Sequence, residues 1–428
     1  MLNIQLLLTG DELMSGDIVD SNSAMIAQEL ANIGLAIKKK VTVADDIQDL
    51  IGEIERLSSN ADVLIINGGL GPTIDDLTAE ALSQVSSKPI AQHPDALAHI
   101  TQWCEKRGFA LNKPNLKQTM LPSGCSIIAN AIGSAVGFGL VHNNCHIYCT
   151  PGVPAELKKM VRDEIIPMLK KQSPDTSHHH VTRFQVFGVG ESSLQKIVDE
   201  ELPDWPDDIE LGFRASMPLL ELKLTTKTTK ALASKALWIE KISHLLGDHL
   251  VAEIVDGPKP FGEHVQLLLK EQGKKVTFAE SCTGGMIASN MTRVAGSSAV
   301  FDGSFVTYAN QQKTDMVNVS PETLNKHGAV SQQVVIEMAK GALAKTGADI
   351  AVAVSGVAGP DGGTGEKPVG TVWFAWGDTT EIKTVCLLLP GNRYYFQHYA
   401  TAVALDLVRR KLIKSKQEPR YVKERRKT

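Results

Sequence analysis

The chain has 428 residues, 43% of them hydrophobic, and a formal net charge of -4 at pH 7 with histidine neutral. This length exceeds what one hydrophobic core ordinarily serves, so two or three domains are expected. The composition excludes a disordered, collagen-like or coiled-coil chain, and the slight negative charge argues against a body that binds polyanions without specificity.

The cysteines and the N-terminus indicate the compartment. The 6 cysteines are scattered, and none has the paired CxxC spacing of a zinc site, which is typical of reduced thiols in a cytoplasmic protein. The N-terminal MLNIQLLLTGDEL has an apolar run too short to span a bilayer and lacks an export signal. We therefore expect a cytoplasmic protein with no membrane partner. His178, His179 and His180 lie in SPDTSHHHVT, where a solvated loop is favoured over a metal site.

The first predicted domain covers residues 1–172. Short apolar runs alternate with helical patterns, which predicts an α/β domain with a parallel sheet and helices on both faces. The clearest segments are two strands and two helices: Ile4 to Leu8, Val63 to Ile66, Asn22 to Ile33 and Ile47 to Leu57. A helix over PAELKKMVRDEIIPMLKKQ ends the domain.

The second predicted domain covers residues 181–256. It has a strand in RFQVFGV, a helix in SSLQKIVDEEL, two strands around Met217 and Pro218, and a helix in ALASKALWIEKISHLLG. This pattern is typical of a small α+β module, and it contains no catalytic constellation. GPKPFG, residues 257–262, follows as a linker, because its prolines and glycines interrupt both helix and strand.

The third predicted domain covers residues 258–428 and is again α/β. Its last helix has an apolar stripe at helical spacing, formed by Phe396, Tyr399, Val403 and Leu407. The basic tail from Lys411 lacks such a stripe and is predicted to be a solvated, partly disordered end. The chain as a whole is thus predicted to be α/β, with two α/β domains of mainly parallel sheets joined by a small α+β module.

AESCTGG, residues 279–285, follows a strand and opens a helix, so Ser281 is expected at the carboxyl edge of the sheet beside exposed backbone N–H groups. Such donors and the helix dipole favour the oxyanion that forms when an amide is attacked. Tyr308 and Lys313 in FVTYANQQK are the candidates for activating the serine, because a desolvated lysine can be neutral. The alternatives are an N-cap serine, a solvated lysine, and Cys282 as the nucleophile.

A third segment, SGVAGPDGGTGEKPVGTV at residues 355–372, follows a strand and is rich in glycine. Glycine allows backbone amides to approach a phosphate closely. Because glycine-rich loops are common, this segment alone does not decide a function.

Together these segments, with AGSS at residue 295 and HGAVS at residue 327, resemble the C-terminal domain of the CinA family of pyridine-nucleotide deamidases. The resemblance implies hydrolysis of nicotinamide mononucleotide to nicotinic acid mononucleotide and ammonia, with no cofactor. It also implies that Ser281 is the nucleophile, that Tyr308 and Lys313 activate it, and that Cys282 is a buried neighbour. The substrate-binding residues are then Thr283, Gly284, Gly285, Ser355, Gly356, Gly359, Gly362 and Gly363.

One segment departs from the family pattern. Where the family has an acidic residue and several arginines, GNRYYFQHYAT keeps only Arg393, and Asn392 and Gln397 replace charged residues. Arg393 is assigned as a phosphate contact, with an exposed arginine at a helix start as the alternative.

Two N-terminal segments follow predicted strands and are expected at one sheet edge: TGDELMSGDIVDSN at residues 9–22 and NGGLGPTIDDLT at residues 67–78. Their glycines allow close approach to phosphates, and Glu12, Asp75 and Asp76 can hold a hard divalent cation through oxygen ligands. Carboxylates, metal and phosphate are the parts of a pyrophosphate hydrolase. The alternative is turn chemistry with helix N-caps.

These segments, with NKPNLKQTMLPSGCSIIANAIGSAVGF and CTPGVPAELKKMV, are similar to the N-terminal domain of CinA, which has the molybdopterin-binding fold. The resemblance implies hydrolysis of ADP-ribose to AMP and ribose 5-phosphate with Mg²⁺, Mn²⁺ or Co²⁺. Gly68, Gly69 and Gly71 are the expected substrate contacts, and Glu12, Asp75 and Asp76 the expected metal ligands.

The sequence therefore predicts a bifunctional enzyme of pyridine-nucleotide salvage. Its expected partners are nicotinamide mononucleotide, ADP-ribose and further copies of itself, with no nucleic acid. Two alternatives stay open: a nucleotide-binding protein of DNA uptake or repair that does not turn over its ligand, and a molybdopterin-binding N-terminal domain. Retention of Ser281, Tyr308 and Lys313 together favours catalysis.

Overall fold

The computed structural model describes residues 2–173, 180–255 and 257–427. The chain folds into two compact units, Met1–Val181 with Thr226–Leu232, and Thr182–Thr225 with Ala233–Thr428. Most of the predicted middle domain thus falls in the second unit, and the boundary between the middle and third domains stays a prediction. The predicted loop residues His178 and His179 lie outside the described residues. Within the described part of the chain, no helix combines the length and apolar character needed to cross a bilayer.

The first unit is a sheet with helices on both faces. Its strands are β1 Ile4–Thr9, β2 Ile37–Val43, β3 Val63–Asn67, β4 Ile90–Gln92, β5 Met120–Pro122, β6 Ser126–Ile128, β7 Gly137–His142 and β8 Cys145–Thr150. Its helices are α1 Asp11–Ser15, α2 Asn22–Ala31, α3 Ile47–Ser58, α4 Thr78–Ser86, α5 Pro94–Arg107, α6 Lys113–Lys117, α7 Pro154–Met160 and α8 Ile166–Gln172.

The main sheet of this unit has the order β2-β1-β3-β8-β7-β6. The first four strands run parallel, and β7 and β6 are added antiparallel at one side. All residues of β1 and β3 are buried, as expected for central parallel strands covered on both faces. The carboxyl ends of β1, β3 and β8 therefore meet at one edge of the sheet.

The helix predicted over residues 154–172 is divided by one π turn, Val161–Ile165, between α7 and α8. Pro167 provides the physical reason, because proline has no N–H to continue the i→i−4 ladder and its ring clashes with the carbonyl four residues earlier. The wider π turn accommodates this break.

The middle segment has the elements that the sequence predicts and one further strand, Leu250–Glu253, that it did not predict. They are β9 His180–Val186, α9 Glu191–Glu201, β10 Ile209–Ser216, β11 Leu219–Thr226, α10 Thr229–Leu246 and β12 Leu250–Glu253. The sheet has the order β10-β11-β9-β12.

The C-terminal part has a five-stranded sheet in the order β14-β13-β15-β16-β17. Its strands are β13 Val276–Glu280, β14 Ser304–Val306, β15 Ile350–Gly356, β16 Thr371–Gly377 and β17 Ile382–Leu388. Its helices are α11 Phe261–Glu271, α12 Met286–Thr292, α13 Asn310–Val317, α14 Pro321–His327, α15 Gln332–Thr346, α16 Arg393–Leu412 and α17 Arg420–Arg425.

The α/β class predicted from the sequence is confirmed. In the C-terminal sheet, β13 runs parallel to β14 and β15, while β16 and β17 are antiparallel additions. Within residues 350–388, all of which the structure describes, no helix separates β15 from β16 or β16 from β17, so these strands return directly instead of crossing over. The candidate nucleophile thus follows β13, which lies between two parallel neighbours.

The prediction of a solvated, partly disordered tail is wrong for the described residues up to Lys427. Tyr421 and Val422 of α17 are buried, and the Tyr421 hydroxyl donates to Asp406 Oδ2 at 3.0 Å. Asp406 is fully buried and also accepts hydrogen bonds from Arg409 and Arg410. The sequence pattern did not indicate that Tyr421 and Val422 would be buried, because most of the tail is charged and a helix of 6 residues is too short to show an apolar stripe.

Candidate functional sites

Ser281 lies directly after the carboxyl end of the interior strand β13. Its backbone N–H donates to Val354 O of the neighbouring strand at 3.0 Å, and its side chain is buried. The chain then turns through Gly284 at φ +60° and Gly285 at φ +95° before α12 begins. Both φ values lie in the left-handed region that favours glycine, so the two glycines set the position of Ser281.

Lys313 is the basic residue that contacts this serine. It is 1% exposed, and its Nζ lies 3.2 Å from Ser281 Oγ, 2.8 Å from Thr307 O and 3.3 Å from Tyr308 O. Burial lowers the pKa of the Lys313 amine from its ordinary 10.5. A neutral amine fits these contacts, because its N–H groups can donate to the two carbonyls while its lone pair accepts the serine hydroxyl proton.

Tyr308 makes a different contact from the one expected of an activating partner. Its side chain is exposed, and its hydroxyl accepts a hydrogen bond from Arg393 Nη2 at 2.9 Å. Arg393 Nη1 donates to Gly359 O at 2.9 Å. The structure therefore joins the phenol, the guanidinium and the glycine-rich loop. The predicted role of Tyr308 in activating Ser281 stays a prediction.

Glu280 is a functional residue that the sequence reasoning missed. It is fully buried, and its Oε2 accepts hydrogen bonds from Thr283 Oγ1 at 2.8 Å, Gly285 N at 3.0 Å and Ile287 N at 3.1 Å. Its Oε1 accepts from Ala288 N at 2.9 Å. One carboxylate thus holds the turn after the nucleophile and the first amides of α12.

This arrangement narrows the expectation of exposed N–H groups beside Ser281, because the amides from Gly284 onward are used within the protein. The amides of Gly284 and Met286 are also used within the turn, by Ser281 O and Thr283 O. The backbone N–H groups of residues 284–288 are therefore occupied within the protein, three of them by the Glu280 carboxylate. The sequence held a signal, since a carboxylate that ends an apolar strand needs several donors if it is buried.

Cys282, the competing nucleophile, is buried rather than presented to solvent. Burial raises the pKa of its thiol to about 12, so a reactive thiolate is disfavoured at neutral pH. We predict that Cys282→Ala keeps the deamidation rate within about threefold of the unsubstituted chain, as the mutant lacks no reacting group. Ammonia release from nicotinamide mononucleotide measures this, with Ser281→Ala as the inactive control. A loss as large as in that control would move the nucleophile to Cys282.

The glycine-rich loop after β15 combines buried and left-handed positions. Ser355 is buried, and its hydroxyl donates to Ala329 O at 2.7 Å. A Cβ at Gly356 would lie 2.8 Å from Thr371 O. Gly359 and Gly362 have φ values of +74° and +87°, and a Cβ at Gly363 would lie 2.9 Å from Val369 N. The backbone thus requires these glycines, while their contact with substrate stays a prediction.

Asn392 and Gln397, the two positions that depart from the family pattern, both make hydrogen bonds that stabilise nearby backbone. Asn392 accepts a hydrogen bond from Tyr395 N at 2.8 Å and caps α16. Gln397 Nε2 donates to Cys282 O at 2.9 Å, so α16 supports the nucleophile turn directly.

The first unit has a cavity of about 590 Å³ at the carboxyl edge of its sheet. The predicted N-terminal site residues line this one cavity: Glu12, Gly68, Gly69, Gly71, Asp75 and Asp76. Gly68 has φ +114°, and a Cβ there would lie 2.6 Å from Thr9 O. At Gly71 a Cβ would lie 2.5 Å from Asp76 Oδ2. Close approach of backbone therefore explains Gly68, and the adjacent Asp76 carboxylate leaves no room for a side chain at Gly71.

The carboxylates of this cavity do not form a ready-made metal cage. Asp76 accepts hydrogen bonds from Gly71 N at 2.7 Å and Thr73 N at 2.8 Å, so it braces its own loop. Among residues 2–173, 180–255 and 257–427, no three His, Cys, Asp or Glu side chains are grouped so as to hold an ion. The donor set fits the mode usual for Mg²⁺, in which one or two carboxylates combine with substrate phosphates.

The cavity also contains a carboxylate that the sequence reasoning did not single out. Asp45 accepts from Thr9 Oγ1 at 2.5 Å and from Asp11 N at 3.2 Å, and burial raises the pKa of its carboxyl. Asp45 follows β2, a half-exposed strand, so no local pattern indicated that it faces the cavity.

Two family models and several known proteins match this chain. A family model described as CinA C-terminal domain matches residues 259–412, and one described as probable molybdopterin binding domain matches residues 5–171. A CinA-like protein from Colwellia psychrerythraea is 57% identical over 422 residues, covering 99% of this chain and 98% of the relative. One from Shewanella piezotolerans is 38% identical over 413 residues, covering 96% of each. A crystal structure of a competence-damaged protein (CinA) superfamily protein from Klebsiella pneumoniae 700603 has 38% identity, covers 36% of this chain and 97% of that chain, and has a TM-score of 0.35.

Proposed function

Since this chain belongs to the CinA family, we propose that its C-terminal part hydrolyses nicotinamide mononucleotide to nicotinic acid mononucleotide and ammonia. One observation carries the proposal: a buried lysine amine, Lys313 Nζ, lies 3.2 Å from Ser281 Oγ. A protein that only binds its ligand does not require such a pair. The substrate follows from the family resemblance.

In the proposed reaction, Ser281 Oγ attacks the amide carbon and Lys313 Nζ takes the hydroxyl proton. The tetrahedral intermediate then expels ammonia, which receives its proton from Lys313, and an ester to Ser281 remains. Water attacks this ester, Lys313 removes the water proton, and the serine oxygen leaves and is reprotonated. The guanidinium of Arg393 beside the glycine-rich loop supports binding of the substrate phosphate.

Ammonia release tests this proposal directly. The full chain is expected to release ammonia from nicotinamide mononucleotide, while Ser281→Ala loses the reaction because the substitution removes the attacking hydroxyl. Lack of release above the Ser281→Ala background would end the deamidase proposal. A covalent adduct at Ser281, detected by mass spectrometry, would support the ester intermediate independently of the rate.

For the N-terminal part we propose metal-dependent hydrolysis of ADP-ribose to AMP and ribose 5-phosphate. The support is a nucleotide-sized cavity that combines glycines at close approach with carboxylates. Glu12, Asp75 and Asp76 are the residues we assign to hold a divalent ion together with the substrate phosphates, and Asp76 also braces its own loop through Gly71 N and Thr73 N. When bound, such an ion supplies charge neutralisation at the pyrophosphate.

We predict that a chelator abolishes ADP-ribose cleavage and leaves deamidation unchanged, because carboxylate-held metal is assigned to the N-terminal site alone. Both reactions are followed in one preparation, by AMP and by ammonia release, and excess Mg²⁺ should restore the first. Equal loss of both activities would contradict the assignment.

Molybdopterin binding is a second candidate for the N-terminal part, because the family model that matches residues 5–171 is described as a probable molybdopterin binding domain. The two candidates differ in a simple assay. Purified protein either retains a pterin, detected by fluorescence after oxidation, or cleaves ADP-ribose.

A further inference from the structure

Among the residues that the structure describes, two buried amide oxygens in the N-terminal cavity lack hydrogen-bond partners. They are Asn22 Oδ1 and Gln118 Oε1, and both residues line the cavity. Gln118 is only 8% exposed. Buried polar atoms are nearly always paired, since an orphaned acceptor destabilises the fold. Two such orphans in one cavity therefore point to groups that a ligand would bring.

The hydrogen bond made by its side-chain nitrogen fixes the orientation of the Gln118 amide group. Its side-chain nitrogen donates to Leu70 O at 3.2 Å. The Leu70 carbonyl oxygen can only accept, so the amide nitrogen of Gln118 must face it. The free end of this side chain is therefore its oxygen, which needs a donor.

The orientation of Asn22 follows from a chain of contacts. Asn67 Nδ2 donates to Pro151 O at 2.8 Å and to Thr150 Oγ1 at 3.2 Å, so Asn67 Oδ1 points the other way. Asn22 Nδ2 donates to that Asn67 oxygen at 3.0 Å and to Gly152 O at 2.6 Å. Both contacts require the nitrogen, which leaves Asn22 Oδ1 as an acceptor.

We infer that Asn22 and Gln118 determine specificity by accepting hydrogen bonds from the uncharged donors of a nucleoside, namely ribose hydroxyls or an exocyclic base amine. Ionised phosphoryl groups have only acceptor oxygens and cannot satisfy either residue. The cavity therefore favours a nucleotide, which carries such donors, and inorganic pyrophosphate, which has none when ionised, is a poor ligand. This inference rests on the proposed function in treating the cavity as its substrate site.

Calorimetric titration of the full chain with Mg²⁺ present tests the ligand side. AMP should bind about 100-fold or more tightly than pyrophosphate, because buried acceptors that stay unpaired penalise a ligand without donors. Two analogues identify which donor the protein recognises. Inosine monophosphate replaces the exocyclic amine with an acceptor, and 2′-deoxy-AMP lacks one hydroxyl. Undetectable AMP binding, or pyrophosphate binding as tightly as AMP, would overturn the inference.

The protein side has a matched control. Gln5 has the same chemistry outside the cavity: it is buried, its Oε1 is unpartnered among the described residues, and its Nε2 donates to Asn60 O at 3.0 Å. Gln118→Met should weaken AMP binding about 10- to 100-fold, while Gln5→Met leaves it unchanged. Equal weakening in both variants would show a merely structural role and overturn the inference. None of these measurements needs turnover, so selective AMP binding without ADP-ribose cleavage would leave the inference standing and reject only the proposed hydrolysis.

Discussion

Lys313→Arg is expected to reduce the deamidation rate about 10²- to 10⁴-fold, nearly as far as Lys313→Ala. The proposed task of Lys313 is to accept the Ser281 proton, which requires a neutral amine. Arginine keeps the reach and the charge of lysine but is not deprotonated in proteins. The buried position of Lys313, with two carbonyl acceptors beside it, is what makes the neutral form available.

The matched control for this substitution is Lys340→Arg, at an exposed position on α15, which should keep the full rate. Ammonia release is compared among the variants after circular dichroism has shown that each is folded. Substantial turnover by folded Lys313→Arg would remove Lys313 from the base role. Tyr308 would then be the residue to test, because its phenol can relay a proton.

The same assignment gives the sign of a pH dependence. Burial lowers the pKa of Lys313 from 10.5, and the base acts only when deprotonated. The rate constant should therefore rise with pH and level off above an apparent pKa that lies below 10.5, and it should fall as the pH drops through that value. A rate constant that stays the same from neutral pH up to 10.5 would contradict a titrating lysine base.

Asp406→Asn is expected to destabilise the second compact unit by about 3 to 5 kcal/mol. The carboxylate is fully buried and accepts from Arg409 Nε at 2.9 Å, Arg410 Nε at 2.6 Å and Tyr421 Oη at 3.0 Å. Both arginine side chains are more than nine-tenths buried. Removing the negative charge therefore leaves two buried cations without this counterion.

Chemical denaturation followed by fluorescence and circular dichroism measures the loss. Asp302→Asn is the control, because Asp302 pairs with Lys275 at 2.9 Å on the surface and should cost less than about 1 kcal/mol. Tyr421→Phe removes one hydrogen bond to Asp406 and should cost about 1 kcal/mol. If Asp406→Asn and Asp302→Asn shifted the transition equally, the buried cluster would not be what attaches the tail.

Local patterns in the sequence were sufficient for the α/β class, while the candidate site residues were chosen over their structural alternatives only with the family resemblance. Alternating apolar runs placed β1, β3 and β13, and the residues after them had to reach the carboxyl edges of their sheets. The sequence could place Ser281, Lys313 and the glycines of the N-terminal cavity in this way, because strand ends, helix starts and glycine requirements are local properties of the chain.

Which of the polar groups were already used became known only from the folded chain. The amides of Gly285, Ile287 and Ala288 donate to Glu280, the Tyr308 hydroxyl accepts from Arg393, and Tyr421 of the charged tail donates to Asp406. Conversely, Asn22 Oδ1 and Gln118 Oε1 are left without partners among the described residues. These outcomes depend on contacts between residues far apart in the sequence, and burial makes each pairing or its absence energetically important. Local patterns therefore locate candidate reacting groups, while packing in three dimensions decides which polar groups stay unpaired.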